Sequence, residues 1–194
     1  MTQSPQLSDV ATLRRQARQH IERGAVTENY RGDRQRLIGL LNEALATELV
    51  CVLRYKQHYF LASGLNAESV SAEFLEHAQQ EMEHADALSR RIVQLGGKPD
   101  LCPDRLSSQS HAEYVECDSL YDMIRENLVA ERIAIDSYRE MINFIGNNDP
   151  TTRRLLEDIL AVEEEHADDM AGLLGNLPAG PTGASEKERY YEPQ

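Results

Sequence analysis

The sequence predicts an all-α fold, in which four long helices form a bundle of two antiparallel hairpins joined by a long crossover. Apolar residues recur at helical spacing over four stretches: ~36–63, ~67–95, ~118–146 and ~150–175. Each stretch ends at glycine or at residues that break helices. Short turns join the first two stretches and the last two, and short loops make antiparallel neighbours. Residues 96–117, rich in Pro, Ser and Asp, connect the two pairs.

The first predicted hairpin comprises two amphipathic helices. Gly64 ends the first helix. One face of this helix carries a regular set of apolar side chains: Leu37, Leu41, Ala44, Leu45, Val52, Tyr55 and Tyr59. The second helix stops at Gly96-Gly97. Its apolar face is formed by Phe74, Ala78, Leu88, Ile92 and Leu95.

The second predicted hairpin has the same form. The third helix ends at Gly146, and its inner face is formed by Leu120, Ile124, Leu128, Ile135, Tyr138, Met141 and Ile145. The fourth helix begins at Pro150, a residue favoured in the first turn, and ends at Gly175. Its inner face contains Leu156, Ile159, Met170 and Leu173.

Three regions make up the predicted chain. Residues 1–35 are an N-terminal extension with a short helix at 8–23, residues 36–176 are the bundle, and residues 177–194 are a flexible C-terminal tail. The crossover is long enough for a small helix at ~112–117.

Composition restricts the function classes. Asp and Glu number 33 against 20 Lys and Arg, a net charge of −13, which argues against nucleic acid as the main partner. No run approaches the ~20 apolar residues of a membrane span, and the N-terminus lacks a secretory signal, so we expect a cytoplasmic protein. Three cysteines do not make a disulfide framework, and Cys51 is expected in the core.

The two hairpins repeat one pattern of polar residues. Glu48 in the first helix is followed after 33 residues by Glu81 and then His84, and Glu131 is followed after 32 residues by Glu163 and then His166. Residues three apart share a helical face, and all six continue the apolar faces. Glu83, Glu164 and Glu165 fall on other faces, where we expect solvent.

Buried carboxylates need a cation or a proton, because an unpaired buried charge is very costly. Two divalent metals would neutralise four glutamates and leave two imidazoles as terminal ligands. Carboxylate and imidazole without thiolate suit iron or manganese. Solvent-facing glutamates on acidic helices are the alternative explanation, and the duplicated pattern favours the metal site.

The segments ATELVCVLRY, EMEHADALSRRIVQLGG and EEEHADDM resemble the ferritin-like di-iron proteins, above all bacterioferritin and its relatives, over residues 36–175. This resemblance implies that Glu81 and Glu163 bridge two irons, while Glu48 with His84 and Glu131 with His166 each cap one. It also implies that Tyr55 donates a hydrogen bond or one electron near the centre. The implied reaction is oxidation of ferrous iron by dioxygen or hydrogen peroxide, for iron storage and protection against oxidative stress.

The resemblance carries further expectations about assembly and cofactors. Met82 matches the methionine that binds haem between two bacterioferritin subunits, or it is a packing residue. The absence of a helix after Gly175 favours a homo-oligomer of twelve subunits, as in the Dps-like branch, over one of 24. Cys102 and Cys117 are either the cysteine pair of the thioferritin type or two ordinary thiols. The alternative functions are a manganese catalase-like or peroxidase-like enzyme and a non-catalytic assembly protein.

Overall fold

The computed structural model describes residues 7–64 and 67–177, and every regular element in these ranges is helical. The helices are α1 (Val10–Gln16), α2 (Arg34–Leu61), α3 (Ala67–Gln94), α4 (Pro103–Gln109), α5 (Leu120–Ile145) and α6 (Pro150–Asn176), with a 3₁₀ turn at Ile21–Arg23. The prediction of an all-α chain is confirmed. The four long helices begin and end within two residues of their predicted limits.

The long helices pair as two antiparallel hairpins, α2 with α3 and α5 with α6. The second turn shows how the sequence sets such a hairpin. Gly146 takes a φ of +54°, which few other residues adopt, and Asp149 caps α6 by accepting a hydrogen bond from the backbone of Thr152. Pro150 then occupies the first turn of α6, where its missing N–H costs nothing.

The core consists of two apolar clusters on either side of a layer of charged side chains. One cluster lies around Leu41, Leu88 and Leu156, and the other around Cys51, Phe74 and Met170. Glu48 separates Leu45 of the first cluster from Cys51 of the second along α2. Because packed apolar residues enclose the layer on both sides, water is kept away from its carboxylates.

The prediction of one helix over residues 8–23 is wrong. Asp9 caps α1, which ends at Gln16, and His20 at a φ of +50° precedes the separate 3₁₀ turn. Neither element buries a residue, so no tertiary packing extends them.

The crossover helix also lies elsewhere than predicted, at Pro103–Gln109 instead of ~112–117. Pro103 starts α4 at the first helical position. The later segment is held in an irregular conformation by the buried Arg54, which donates from Nη1 to the carbonyl of Glu113 at 2.9 Å and from Nε to Oδ1 of Asn127 at 2.9 Å. The crossover therefore packs against the bundle through a backbone carbonyl and through the buried side chains of Ala112 and Cys117.

The predicted C-terminal tail lies outside the described residues from position 178 onward. None of the described helices combines the length and apolar character needed to cross a membrane.

Candidate metal centre

All six residues of the duplicated pattern meet in the charged layer between the apolar clusters. They come from four helices, with Glu48 on α2, Glu131 on α5, and a Glu–His pair on each of α3 and α6: Glu81, His84, Glu163 and His166. None of the six is more than 9% exposed. Their exposed neighbours Glu83, Glu164 and Glu165 point elsewhere, as predicted.

The six residues form two overlapping groups. The first group is Glu48, Glu81, His84 and Glu163, and the second is Glu81, Glu131, Glu163 and His166. Within each group the potential ligand atoms lie within 4.8 Å of one another. Glu81 and Glu163 belong to both groups, so each can offer a carboxylate to two metal positions at once.

Each imidazole faces its carboxylates through Nδ1. In the first group, Nδ1 of His84 lies 3.0 Å from Oε1 of Glu163 and 3.2 Å from Oε2 of Glu48. In the second group, Nδ1 of His166 lies 3.7 Å from oxygens of Glu81 and Glu163 and 3.8 Å from Glu131.

Gln80 fixes the orientation of the second imidazole. Its Oε1 lies 2.8 Å from Nε2 of His166, so Nε2–H donates there and the neutral ring keeps its lone pair on Nδ1. Such an outer hydrogen bond is how proteins usually orient a ligating histidine.

Two tyrosines connect the hairpins across the centre. Tyr55 on α2 donates to Oε1 of Glu131 on α5, and Tyr138 on α5 donates to Oε1 of Glu48 on α2. Burial, followed by the nearby carboxylates, raises the pKa of both phenols well above the usual value, so both stay protonated. Each hydroxyl therefore holds one carboxylate oxygen, and the second oxygen of each carboxylate faces an imidazole of the layer.

The family resemblance implies a role for Tyr55 at the centre, whereas helical spacing predicts Tyr138 only as part of an apolar face. A signal for Tyr138 was present in the spacing. Tyr55 follows Glu48 by seven residues, and Tyr138 follows Glu131 by seven residues. The tyrosines belong to the same duplication as the six candidate ligands.

The charge balance of the centre favours cations. Burial and the Glu48 carboxylate raise the pKa of Glu163 to about 7, while contacts with His166 and neighbouring groups outweigh burial and lower that of Glu131 to about 2. Burial opposes protonation of His84, but the carboxylates of Glu163, Glu48 and Glu81 outweigh it and raise its pKa to about 12. Four carboxylates thus compete for two imidazolium charges.

Several buried atoms in this layer make no hydrogen bond to any described residue: Oε1 of Glu81, Oε2 of Glu131, Oε2 of Glu163, and Nδ1 of His166. Such atoms are costly unless a ligand satisfies them. Their donor set of carboxylate oxygen and imidazole nitrogen suits divalent iron or manganese. The residues present therefore fit a pair of metal ions.

Met82 and the cysteines lie apart from this set. The Met82 side chain is on the outer side of α3 and is 41% exposed, so haem binding between subunits stays a prediction. All three cysteines are free thiols. Cys117 packs in the same apolar cluster as Cys51, and Cys102 is not part of it.

Comparison with known proteins agrees with this architecture. The ferritin-like domain family matches residues 38–179. The chain is 30% identical to bacterioferritin of Rhodobacter capsulatus over 69% of its length and 79% of the relative's. It is 32% identical to the DNA protection during starvation protein of Pyrococcus furiosus, over 76% of this chain and 82% of the relative.

Among solved structures, the bacterioferritin-related protein of Bacteroides fragilis, a dodecameric thioferritin, matches with a TM-score of 0.72. It is 33% identical and covers 74% of this chain and 87% of its own. Dps of Thermosynechococcus elongatus, at 18% identity and a TM-score of 0.70, has the same fold, with 77% of this chain and 96% of its own covered. The chain therefore belongs to the ferritin-like family.

Proposed function

We propose that this chain is a di-iron ferroxidase, which oxidises ferrous to ferric iron for storage and for protection against oxidative stress. The observation that carries the proposal is the pair of overlapping groups that share Glu81 and Glu163. One metal position would be completed by Glu48 and His84, and the other by Glu131 and His166.

The residues of this centre would act by holding two ferrous ions side by side. Adjacent ions deliver two electrons together: two Fe²⁺, one H₂O₂ and two protons give two Fe³⁺ and two H₂O, whereas dioxygen with the same iron and protons gives H₂O₂. Tyr55 and Tyr138 keep Glu131 and Glu48 oriented through the reaction. We assign Tyr55 the further role of a one-electron donor, since its hydroxyl touches a carboxylate ligand.

We further propose a homo-oligomer of twelve subunits located in the cytoplasm. The dodecameric Bacteroides fragilis relative supports this subunit number, because it is 33% identical to this chain and covers 74% of it. Sedimentation of the purified protein tests it, since twelve subunits of 21.9 kDa differ in mass from 24 by a factor of two. Haem at Met82 would appear as a Soret band in the same preparation.

The test of the ferroxidase is anaerobic addition of ferrous iron to the metal-stripped protein, followed by oxidant. We expect ferric absorbance to saturate at two irons per subunit in the first rapid phase. Glu81→Ala should abolish this phase, because it removes a ligand from both groups. Glu83→Ala, at an exposed position two residues away, is the matched control and should react as the wild type does.

The same preparation separates the alternatives. A catalase-like enzyme would evolve oxygen from hydrogen peroxide catalytically when loaded with manganese, whereas a ferroxidase consumes peroxide in proportion to iron. Comparing the rate of iron oxidation with dioxygen alone against the rate with hydrogen peroxide would identify the preferred oxidant. A non-catalytic assembly protein would bind no metal above background, and that result would overturn the proposal.

A further inference from the structure

A second group of potential metal ligands lies beside the centre, between α3 and α6. His77 on α3 is buried, with 1% of its surface exposed. Its Nε2 lies 3.6 Å from Oε1 of Glu73, one turn earlier on α3, and 3.6 Å from Oδ2 of Asp169 on α6. The ligand atoms of these three residues are within 4.8 Å of one another. The side chains of Glu73 and Asp169 are 34% and 52% exposed, so the group opens to solvent.

The hydrogen bonds of His77 determine what its Nε2 can do. The single hydrogen of the Tyr55 hydroxyl goes to Glu131, so the contact of 3.1 Å between Tyr55 and Nδ1 of His77 must be donated by Nδ1–H. In the neutral ring, Nε2 is then an acceptor. It faces two carboxylates, which are also acceptors, so a cation placed where the three acceptors converge would satisfy all of them.

His77 also connects this group to the buried centre. Its ring stacks on that of His166, with ring centroids 3.9 Å apart and planes inclined by 21°. His77, Glu131 and His166 form another set whose potential ligand atoms lie within 4.8 Å of one another. One side chain thus borders both the solvent-facing carboxylates and the inner metal position of Glu131 and His166.

We propose that Glu73, His77 and Asp169 form a third divalent-metal site, which takes up ferrous iron from solvent before it passes to the buried centre. The role of this site rests on the proposed ferroxidase function, but the binding of the ion does not. One imidazole and two carboxylates suit a first-row divalent cation. Because two of the ligands are partly exposed and water completes the coordination, the site binds more weakly than the centre.

The site is tested by anaerobic titration of the metal-stripped full-length protein with Co²⁺, followed by calorimetry and visible absorption. We expect the wild type to bind three Co²⁺ per subunit, two tightly and one more weakly. The double variant Glu73→Gln/Asp169→Asn should bind only the two tight ions. The double variant Glu76→Gln/Asp168→Asn removes two exposed carboxylates from the same helices and should still bind three.

Kinetics then test the role in uptake. At limiting Fe²⁺, the Glu73→Gln/Asp169→Asn variant should oxidise iron about ten-fold more slowly than the wild type. The reason is that it lacks the two carboxylates that attract the cation from solvent. Its rate should be unchanged when both inner positions are loaded before dioxygen is added. Circular dichroism and thermal unfolding establish whether both double variants fold. We expect both to fold, because the substituted side chains are at least partly exposed.

The outcomes distinguish the two proposals. If the wild type binds two Co²⁺, or if the Glu73→Gln/Asp169→Asn variant still binds three, the third site is refuted and the ferroxidase proposal stands. That result would identify His77 as an imidazolium held between two carboxylates. If the wild type binds no Co²⁺, both proposals fail.

Discussion

Replacing Glu163 by glutamine should change the stability of the protein in opposite directions without and with metal. Glu163 contributes to both metal groups and lies in a layer where four carboxylates face two imidazoles. Burial raises the pKa of Glu48 well above its usual value, so Glu48 keeps a proton, and with both imidazoles protonated the layer carries one negative charge in excess once Glu163 ionises. Removing the charge of Glu163 should relieve repulsion in the metal-stripped protein, and it should weaken metal binding at both positions.

The magnitude follows from the pKa of Glu163, which burial and the Glu48 carboxylate raise to about 7 from 4.5. The folded state binds the proton more tightly, so this carboxyl costs nothing below about pH 4.5 and destabilises the fold as pH rises through 7. The cost reaches about 3 kcal/mol at pH 8. Some of the gain in the glutamine variant is offset by loss of the contact with His84, at 3.0 Å, although His84 keeps Glu48 and Glu81.

Urea unfolding of metal-stripped wild type and Glu163→Gln, followed by circular dichroism at pH 5 and pH 8, measures this difference. Equal protein concentrations are needed because assembly contributes to stability. We expect the variant to be about 2 kcal/mol more stable at pH 8 and nearly equal at pH 5. Adding Co²⁺ at a hundred times its dissociation constant should stabilise the wild type by about 2.7 kcal/mol for each site, and the variant much less.

Glu165→Gln is the matched control, since Glu165 is exposed two residues further along α6 and should change neither measurement. A metal-stripped Glu163→Gln protein that is less stable than the wild type at pH 8 would refute the reasoning. It would mean that the ion pair with His84 outweighs repulsion among the carboxylates. Equal stabilisation of both proteins by Co²⁺ would show that Glu163 does not bind the metals.

Tyr138→Phe and Tyr55→Phe should each slow ferroxidation about ten-fold, because each leaves one carboxylate without its hydrogen-bond donor. Initial rates of iron oxidation measure this effect. A slower rate only in Tyr55→Phe would indicate that the tyrosine donates an electron and does not merely orient a ligand. Carboxylate contacts outweigh burial and raise the pKa of His84 and His166 to about 12, so metal binding should displace at least these two protons and weaken as pH falls. Calorimetry in buffers of different ionisation enthalpy counts the protons, and pH-independent affinity would contradict the assignment. Burial and a neighbouring guanidinium lower the pKa of His58 to about 4, so stability should fall by about 3 kcal/mol as pH drops from 6.5 to 4. Urea unfolding should show this slope in the wild type and not in His58→Gln.

The long helices and the six candidate ligands could be predicted from sequence because each depends on spacing along one helix. A period of 3.6 residues identifies the buried face, and Glu81 and His84 share it at a spacing of three. The duplication in the second hairpin made chance agreement improbable. None of these inferences needed the relative positions of the hairpins.

The contacts between hairpins were not predictable in the same way. Tyr138 lies on an apolar face, where a tyrosine is usually a core residue, and its bond to Glu48 depends on how far α5 is shifted along α2. Arg54 was missed because a buried arginine needs partners from distant segments, here Asn127 and the carbonyl of Glu113. The short helix at Pro103–Gln109 buries no residue, so it leaves no apolar period to recognise.

The duplication also identifies where the two halves of the centre differ. His77 precedes Glu81 by four residues, and the matching position before Glu163 is Ile159, which packs in an apolar cluster. The half of the centre formed by Glu131 and His166 therefore borders an imidazole that faces solvent-exposed carboxylates. Because the six candidate ligands follow nearly the same spacing in both hairpins, we expect such unmatched neighbours to contribute to any difference between the two proposed metal positions. Of these neighbours, we expect His77 to have the largest effect, since it contacts both the exposed carboxylates and the ring of His166 in the buried centre.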